Sequence, residues 1–408
     1  MTKKTIQEIR NDTRNSFSGG AFSGFKAFLF SIISILIGLL FGFLLMVITN
    51  PKNAVSGFSA LLFGGIPSGM ASIGNILSNA TPLIGVGLAV AISSKAGIFN
   101  IGGSGQFTMG GLCALVLANF MKNTVPAPFS FIIVLIVGML AGAIWALVPA
   151  LLKNHFNVNI VVSAIMMNYI AAYLSAIVAK NRLWYDQNFN RISVKGCENS
   201  YVPTGGLDKI FQATNEFGGR VPSRIDIAII ITLVICLLLA FIFAKTTFGL
   251  RIKVSGQNGD CAKYSGINNK KSIAYAMMLS GAMAGMGAVF SYLSKSPSYF
   301  TPATTVNSIG FDGISVALIG NNSPIGCIFS AILISYIKTS GSGLTAQGFD
   351  SNIIGIVTSI IIYFSATIFF LSNVSSLWIK RIKARKSMEC LTGRLEPDSS
   401  KENKEVRA

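Results

Sequence analysis

Acid–base groups are scarce in this chain. Among 408 residues there is one histidine, there are fifteen Asp and Glu, and only 12% of positions are charged. A soluble domain carries about 25% charged residues. His155 has no cluster of metal-ligating neighbours in sequence, and there is no GxxxxGK[ST], HExxH or GxSxG stretch. Those absences exclude a phosphate loop, a zinc-protease helix and a nucleophile elbow. The six cysteines stand singly. Cys113, Cys236 and Cys327 lie in apolar segments, Cys261 and Cys390 in basic ones, and Cys197 alone in a large polar loop. Neither a disulfide framework nor a CxxC metal site fits that spacing, so the cysteines read as small hydrophobes. No cofactor or metal is expected, the chain does not read as an enzyme, and any ATP chemistry belongs to another chain.

What is abundant is apolar surface: 51% hydrophobic residues and a mean hydropathy of +0.61. Ala27–Thr49 runs 23 residues without a charge, and about 20 span a bilayer as a helix. It is too long for a signal-peptide core and has no small-residue cleavage site after it, so it reads as an uncleaved first helix. Further apolar stretches recur near 74–94, 106–121, 128–152, 158–179, 225–244, 272–294, 308–320, 322–338 and 352–372. The expected fold is all-α: a polytopic membrane helical bundle of about ten transmembrane helices, with the 308–338 pair either two crossings or a re-entrant element.

The net charge of +18 orients the chain rather than marking a nucleic-acid surface, because its basic residues are not interleaved with aromatics. Lys380–Lys386 (KRIKARK) holds five of them directly after the last apolar stretch, where positive charge stays cytoplasmic. Ten crossings put both termini, Lys153 and the 245–271 loop on that side. The loop 180–224 then falls outside, although it holds seven Lys and Arg against four acids. The domain reading is a cytoplasmic segment 1–26, a transmembrane domain 27–372, and a basic, then disordered, cytoplasmic tail 373–408.

Two glycine-rich interruptions stand out: GIFNIGGSGQ (97–106) and SIGFDGISVALIGNN (308–322). Corresponding breaks in two halves of a transporter point to a mid-membrane solute site and a possible inverted repeat with discontinuous helices. A broken backbone survives in a membrane only where protein or water covers it. Asn100, Ser104 and Gln106 supply donors and acceptors at the first break. It is either a discontinuous helix lining a polar cavity or a short connecting turn. Asp312 is the one carboxylate inside an apolar segment, a functional candidate by default. It either binds a polar solute or caps a half-helix. Asn168, an intramembrane amide, either bonds across helices or touches solute. Glycine pairs Gly38/Gly42, Gly138/Gly142 and Gly281/Gly285 have GxxxG spacing, which allows close helix approach within the bundle or at a dimer seam. In the 245–271 loop, Asn258 can N-cap and Gly266 can follow a short helix, a possible docking element for a soluble partner.

Four stretches carry a resemblance: KAGIFNIGGSGQ (95–106), VNIVVSAIMMNYIA (158–171), the 246–288 segment with its SGAMAG run, and GFDGISVALIGNNSPIG (310–326). They resemble the permease subunits of bacterial ABC importers of the ribose and branched-chain amino-acid class, most of all the branch importing nucleosides. Gly256, Asn258, Ala262 and Gly266 stand where that family has its ATPase-coupling segment. The resemblance implies an ABC ATPase subunit, a second permease (commonly a paralogue), an extracytoplasmic solute-binding protein and a location in the bacterial cell membrane among lipid. It implies a pathway for a small solute, a nucleoside or related sugar-containing molecule, near Phe99, Asn100, Gly102, Gly103, Ser104, Gln106, Asn168 and Asp312. Ile160 and Ser104 depart from the family, which commonly has acidic residues near both places. A ribose-type sugar or branched-chain amino acid remains open as solute, as does a stand-alone transporter coupling protons through Asp312, or a scaffold without transport.

Overall fold

The computed structural model describes residues 36–364, apart from 67–68, 123, 195–196, 215–219, 295–298 and scattered positions between 351 and 362. The expected segments 1–26 and 373–408, and most of the last apolar stretch, lie outside the described residues. Gly38–Ile362 forms one unit of the chain.

Helices dominate it. They are α1 (Leu36–Thr49), α2 (Ala54–Phe63), α3 (Met70–Lys95), α4 (Gly103–Phe120), α5 (Ala127–Phe156), α6 (Ile160–Ala179), α7 (Leu207–Ile210) and α8 (Ala228–Lys245). They continue with α9 (Thr247–Gln257), α10 (Gly259–Tyr264), α11 (Asn269–Tyr292), α12 (Ile309–Ile319), α13 (Pro324–Thr339) and α14 (Gly341–Ala346). Each apolar stretch of the sequence between 74 and 338 has its helix; α2 is an addition too short to stand out as a span. Among the described residues, six helical segments are long and apolar enough to cross a membrane, while α1, α2 and α12 are shorter apolar helices. At about 1.5 Å per residue, the 11 residues of α12 reach only halfway across a hydrocarbon core of about 30 Å. The 308–338 region is therefore a half-length helix followed by α13, rather than two full crossings.

Burial separates centre from periphery. The apolar windows of α3 and α11 are 78% and 67% buried, against 33% in α5 and α8. The exposed side chains of α5, among them Phe129, Ile132, Ile136, Leu140 and Ile144, recur at helical spacing and form the stripe a lipid-facing helix presents. The GxxxG pairs pack inside the bundle. A Cβ on Gly285 would lie 2.2 Å from the Gly138 carbonyl oxygen, and one on Gly142 2.3 Å from that of Gly281. Backbones of α5 and α11 thus touch directly, which is what small residues achieve where no hydrophobic effect drives helices together.

The loop 180–224 is an ordered cap. It holds two antiparallel pairs, β1 (Tyr185–Asp186) with β2 (Arg191–Ile192) and β3 (Gln212–Thr214) with β4 (Arg220–Pro222). Trp184, Ile192 and Cys197 join Tyr292, Leu293 and Phe300 in one buried cluster. Backbone bonds from Val202 N to Leu293 O and from Ile192 N to Phe300 O fasten the cap to the end of α11 and to the segment that follows it.

Candidate translocation and coupling site

The first break is a closed knot. The chain leaves α3 at Lys95, turns through Gly97 (φ 70°) and enters α4 at Gly103. Asn100 is its hub. Its Nδ2 donates to Gln106 Oε1 (3.1 Å) and to Ser280 Oγ of α11 (2.8 Å). Its Oδ1 accepts from Gly102 N (2.9 Å) and Gln106 Nε2 (3.2 Å). Ser280 in turn donates to the Ala89 carbonyl of α3 (2.6 Å). Asn168 of α6 closes the other side, accepting from Gly105 N (2.8 Å) and donating to Ile101 O (3.0 Å). Asn100, Ser104 and Gln106 are all 1% exposed or less. These amides satisfy the freed backbone of the break, as a buried polar network must. Asn168 makes its bonds across helices, while Phe99 points outward, 43% exposed.

The two breaks meet. A Cβ on Gly310 would fall 2.1 Å from Ser104 Oγ and 2.2 Å from Ser104 N, so only glycine lets the start of α12 rest on the start of α4. On the other flank, Gly97 abuts the 245–271 loop: a Cβ there would lie 2.6 Å from Gly256 O, and one on Gly256 2.4 Å from Lys95 O. Backbone contacts without side chains between them therefore join the 245–271 loop to the first break, and the first break to the second.

The 245–271 loop folds as its residues suggest. Asn258 Oδ1 accepts from Asp260 N (2.9 Å) and Cys261 N (3.2 Å), capping α10. Gly266, at φ 74°, ends it, with Ile267 N donating to Ala262 O (2.8 Å). Ala262 is fully buried while Tyr264 is 93% exposed. The outward-facing aromatic of this element is Tyr264, which spacing alone did not single out.

Asp312 belongs to a different environment. It lies in the first turn of α12, where Ser308 makes no side-chain cap bond, and its Oδ2 takes an ion pair from Lys338 of α13 at 2.5 Å. The pair faces a half-open pocket of about 280 Å³ that also includes Ser78, Asn79, Ser291 and Ser294. Asp312 thus stands in the first turn of α12, where a carboxylate complements the helix dipole, and it is not an isolated charge. Sequence reading missed Lys338, at the very end of an apolar stretch, and the polar face of α3 near Pro82. The cue was there: Pro82 lies inside a helix, where it deprives the Ser78 carbonyl of its i+4 amide.

A family model described as "Branched-chain amino acid transport system / permease component" matches residues 72–366. The chain belongs to this permease family. Its matched span contains every candidate residue above. The permease is 31% identical to the nucleoside ABC transporter permease protein NupB of Lactococcus lactis over 365 residues, 87% of this chain and 94% of that one. It is 31% identical to the guanosine ABC transporter permease protein NupP of Bacillus subtilis, covering 82% of this chain and 92% of that one. A glucose ABC transporter permease protein, TsgB13 of Haloferax volcanii, is 25% identical over 72% of this chain and 75% of its own. No solved structure matches. Family and helix lengths together make this a multi-pass membrane protein and a transport component.

Proposed function

We propose that this permease carries a nucleoside inward as the membrane subunit of an ATP-driven importer. The observation that carries the reading is the near-full-length similarity to two permeases named for nucleoside and guanosine. In this reading the protein lies in the cell membrane with both termini cytoplasmic. A separate ATPase docks at α9 and α10, with Tyr264 as its contact. A solute-binding protein docks on the 180–224 cap, and a second permease completes the path. ATP-driven movement of α10 reaches the solute path through the Gly256–Gly97 and Ser104–Gly310 contacts. The permease contributes no covalent chemistry; it works by differential affinity for solute in two states. Similarity to a glucose permease supports a sugar as the second solute class.

Uptake of labelled nucleoside by cells expressing the intact importer, with unlabelled nucleosides, sugars and amino acids as competitors, tests the solute. Competition by nucleosides alone is expected; competition by a hexose or a branched-chain amino acid instead would overturn it. Gly266→Pro tests coupling, since proline cannot adopt φ 74° and removes the amide that donates to Lys263 O. It should leave expression intact and abolish ATP-dependent uptake.

A further inference from the structure

We propose that the pocket around Asp312 and Lys338 is the permease's own recognition site for the sugar hydroxyls of its solute; this deepens the nucleoside reading and rests on it. Many hydroxyls elsewhere in the bundle are spent on nearby carbonyls, and others, such as Ser104 Oγ and Thr232 Oγ1, are unpartnered but shut away from any opening. Ser93 donates to Ala89 and Val90, Thr108 to Ser104, Ser175 to Ala172 and Ser330 to Val316 and Gly326. In this pocket Ser335 and Thr339 keep to the pattern, donating to the Ile76 and Ser335 carbonyls, but four other polar side chains do not. Ser78, Asn79, Ser291 and Ser294 all line it, and among the described residues their side chains make no hydrogen bond. Four unpartnered polar groups, from α3, α11 and the segment just after α11, converge beside an ion pair supplied by α12 and α13.

The chemistry of the set narrows the ligand. A carboxylate is acceptor-only, an ammonium donor-only, and serine hydroxyls and the Asn79 amide do both. Lys338 occupies one oxygen of Asp312, which leaves the other to accept from a ligand hydroxyl. The ion pair cancels in charge, so the pocket offers polarity with little net attraction for an ion: the one further charge on its lining, Arg224, is exposed to solvent and screened. A neutral vicinal diol flanked by further hydroxyls meets such a set group for group. Leu83, Phe290 and Ile309 supply apolar wall for the ring. At about 280 Å³ the cavity lies at the lower edge of small-molecule pockets. It has room for a sugar, with the base extending through its open side.

The test is competition of labelled ribonucleoside uptake by 2′-deoxy- and 3′-deoxynucleosides and by nucleoside monophosphates, in cells carrying the whole importer. In the native permease the ribonucleoside should outcompete either deoxy analogue at least fivefold, and the monophosphates should not compete. Asn79→Ala, Ser291→Ala and Asp312→Asn should each lower uptake three- to tenfold and bring the ribo-to-deoxy ratio towards one. Ser93→Ala, outside the pocket, should keep that ratio. The exchanged pair Asp312→Lys with Lys338→Asp separates structure from recognition: expression should return while the ratio stays collapsed. An unchanged ratio in the pocket variants, full restoration by the exchange, or competition by monophosphates would overturn the proposal. Absence of any nucleoside uptake by the native importer would instead defeat the solute reading on which it stands.

Discussion

The 97–106 break and the Asp312 pocket are built from the same kinds of residue, yet they use them in opposite ways. Asn100, Gln106, Asn168 and Ser280 exchange hydrogen bonds with one another and with broken backbone. Asn79, Ser78, Ser291 and Ser294 keep theirs open. A polar residue in a membrane segment is thus ambiguous until its donors and acceptors are counted. Where they balance, or where an unpartnered group such as Ser104 Oγ is sealed inside the protein, the residue braces; where unpartnered groups line an open pocket, they are available to a solute.

That contrast predicts unequal costs. Asn100→Leu should be the most damaging change, since it strands the Gly102 amide and the Gln106 side chain in a site without water. Buried unsatisfied groups cost about 1–3 kcal/mol each, so a loss of roughly 4 kcal/mol in stability is expected, read as a sharply lowered melting temperature in detergent. A Tm within two or three degrees of native, equivalent to about 1 kcal/mol, would mean that the knot is not what holds the break.

Asp226 is an intermediate case. Its Oδ1 accepts from Ala228 N (3.2 Å), while Oδ2 is buried without a partner. Burial pushes its carboxyl up to about 7, against the opposing effect of backbone hydrogen bonds. A folded-state pKa above the unfolded value means the folded chain holds a proton that the unfolded chain has released. Stability should therefore fall as pH rises from about 4 to about 7 and level off above. Roughly 2 kcal/mol of that slope should vanish in Asp226→Asn, measured as Tm against pH. Persistence of the full slope would assign it to other groups.

The glycine contacts predict a functional loss with smaller energetic cost. Gly256→Val places methyls against the Lys95 carbonyl and the Ala96–Gly97 peptide. ATP-dependent uptake should drop at least tenfold while Tm falls by about 1–3 kcal/mol equivalent, the usual cost of overpacking. Transport at the native rate would disconnect the coupling loop from the break. The smallest effect on stability belongs to the pocket itself: Asn79→Leu, which breaks no protein hydrogen bond, should shift stability by no more than about 0.5 kcal/mol. A loss as large as that of Asn100→Leu would erase the distinction between the two regions.

Much of this architecture was legible from residues. Spans can be read because about 20 apolar residues are an unmistakable length signal, and the α10 cap because Asn258 and Gly266 have specific backbone roles. Three things were not. The pairing of Gly138/Gly142 with Gly281/Gly285 depends on which helices are neighbours, and spacing alone does not report that. The role of Asn100 against that of Asn79 depends on partners 180 residues away in one case and on none in the other. The partner of Asp312 was hidden because Lys338 lies 26 residues on, at what reads in sequence as a segment edge.

Cysteine accessibility tests the contrast most directly. In a background lacking the other cysteines, Ser104→Cys and Ser291→Cys would each be exposed to a small membrane-permeant thiol reagent, with and without nucleoside. The account predicts that Ser291→Cys reacts and is protected by nucleoside, whereas Ser104→Cys stays unreactive. Rapid, nucleoside-protected labelling at position 104 with none at 291 would contradict it.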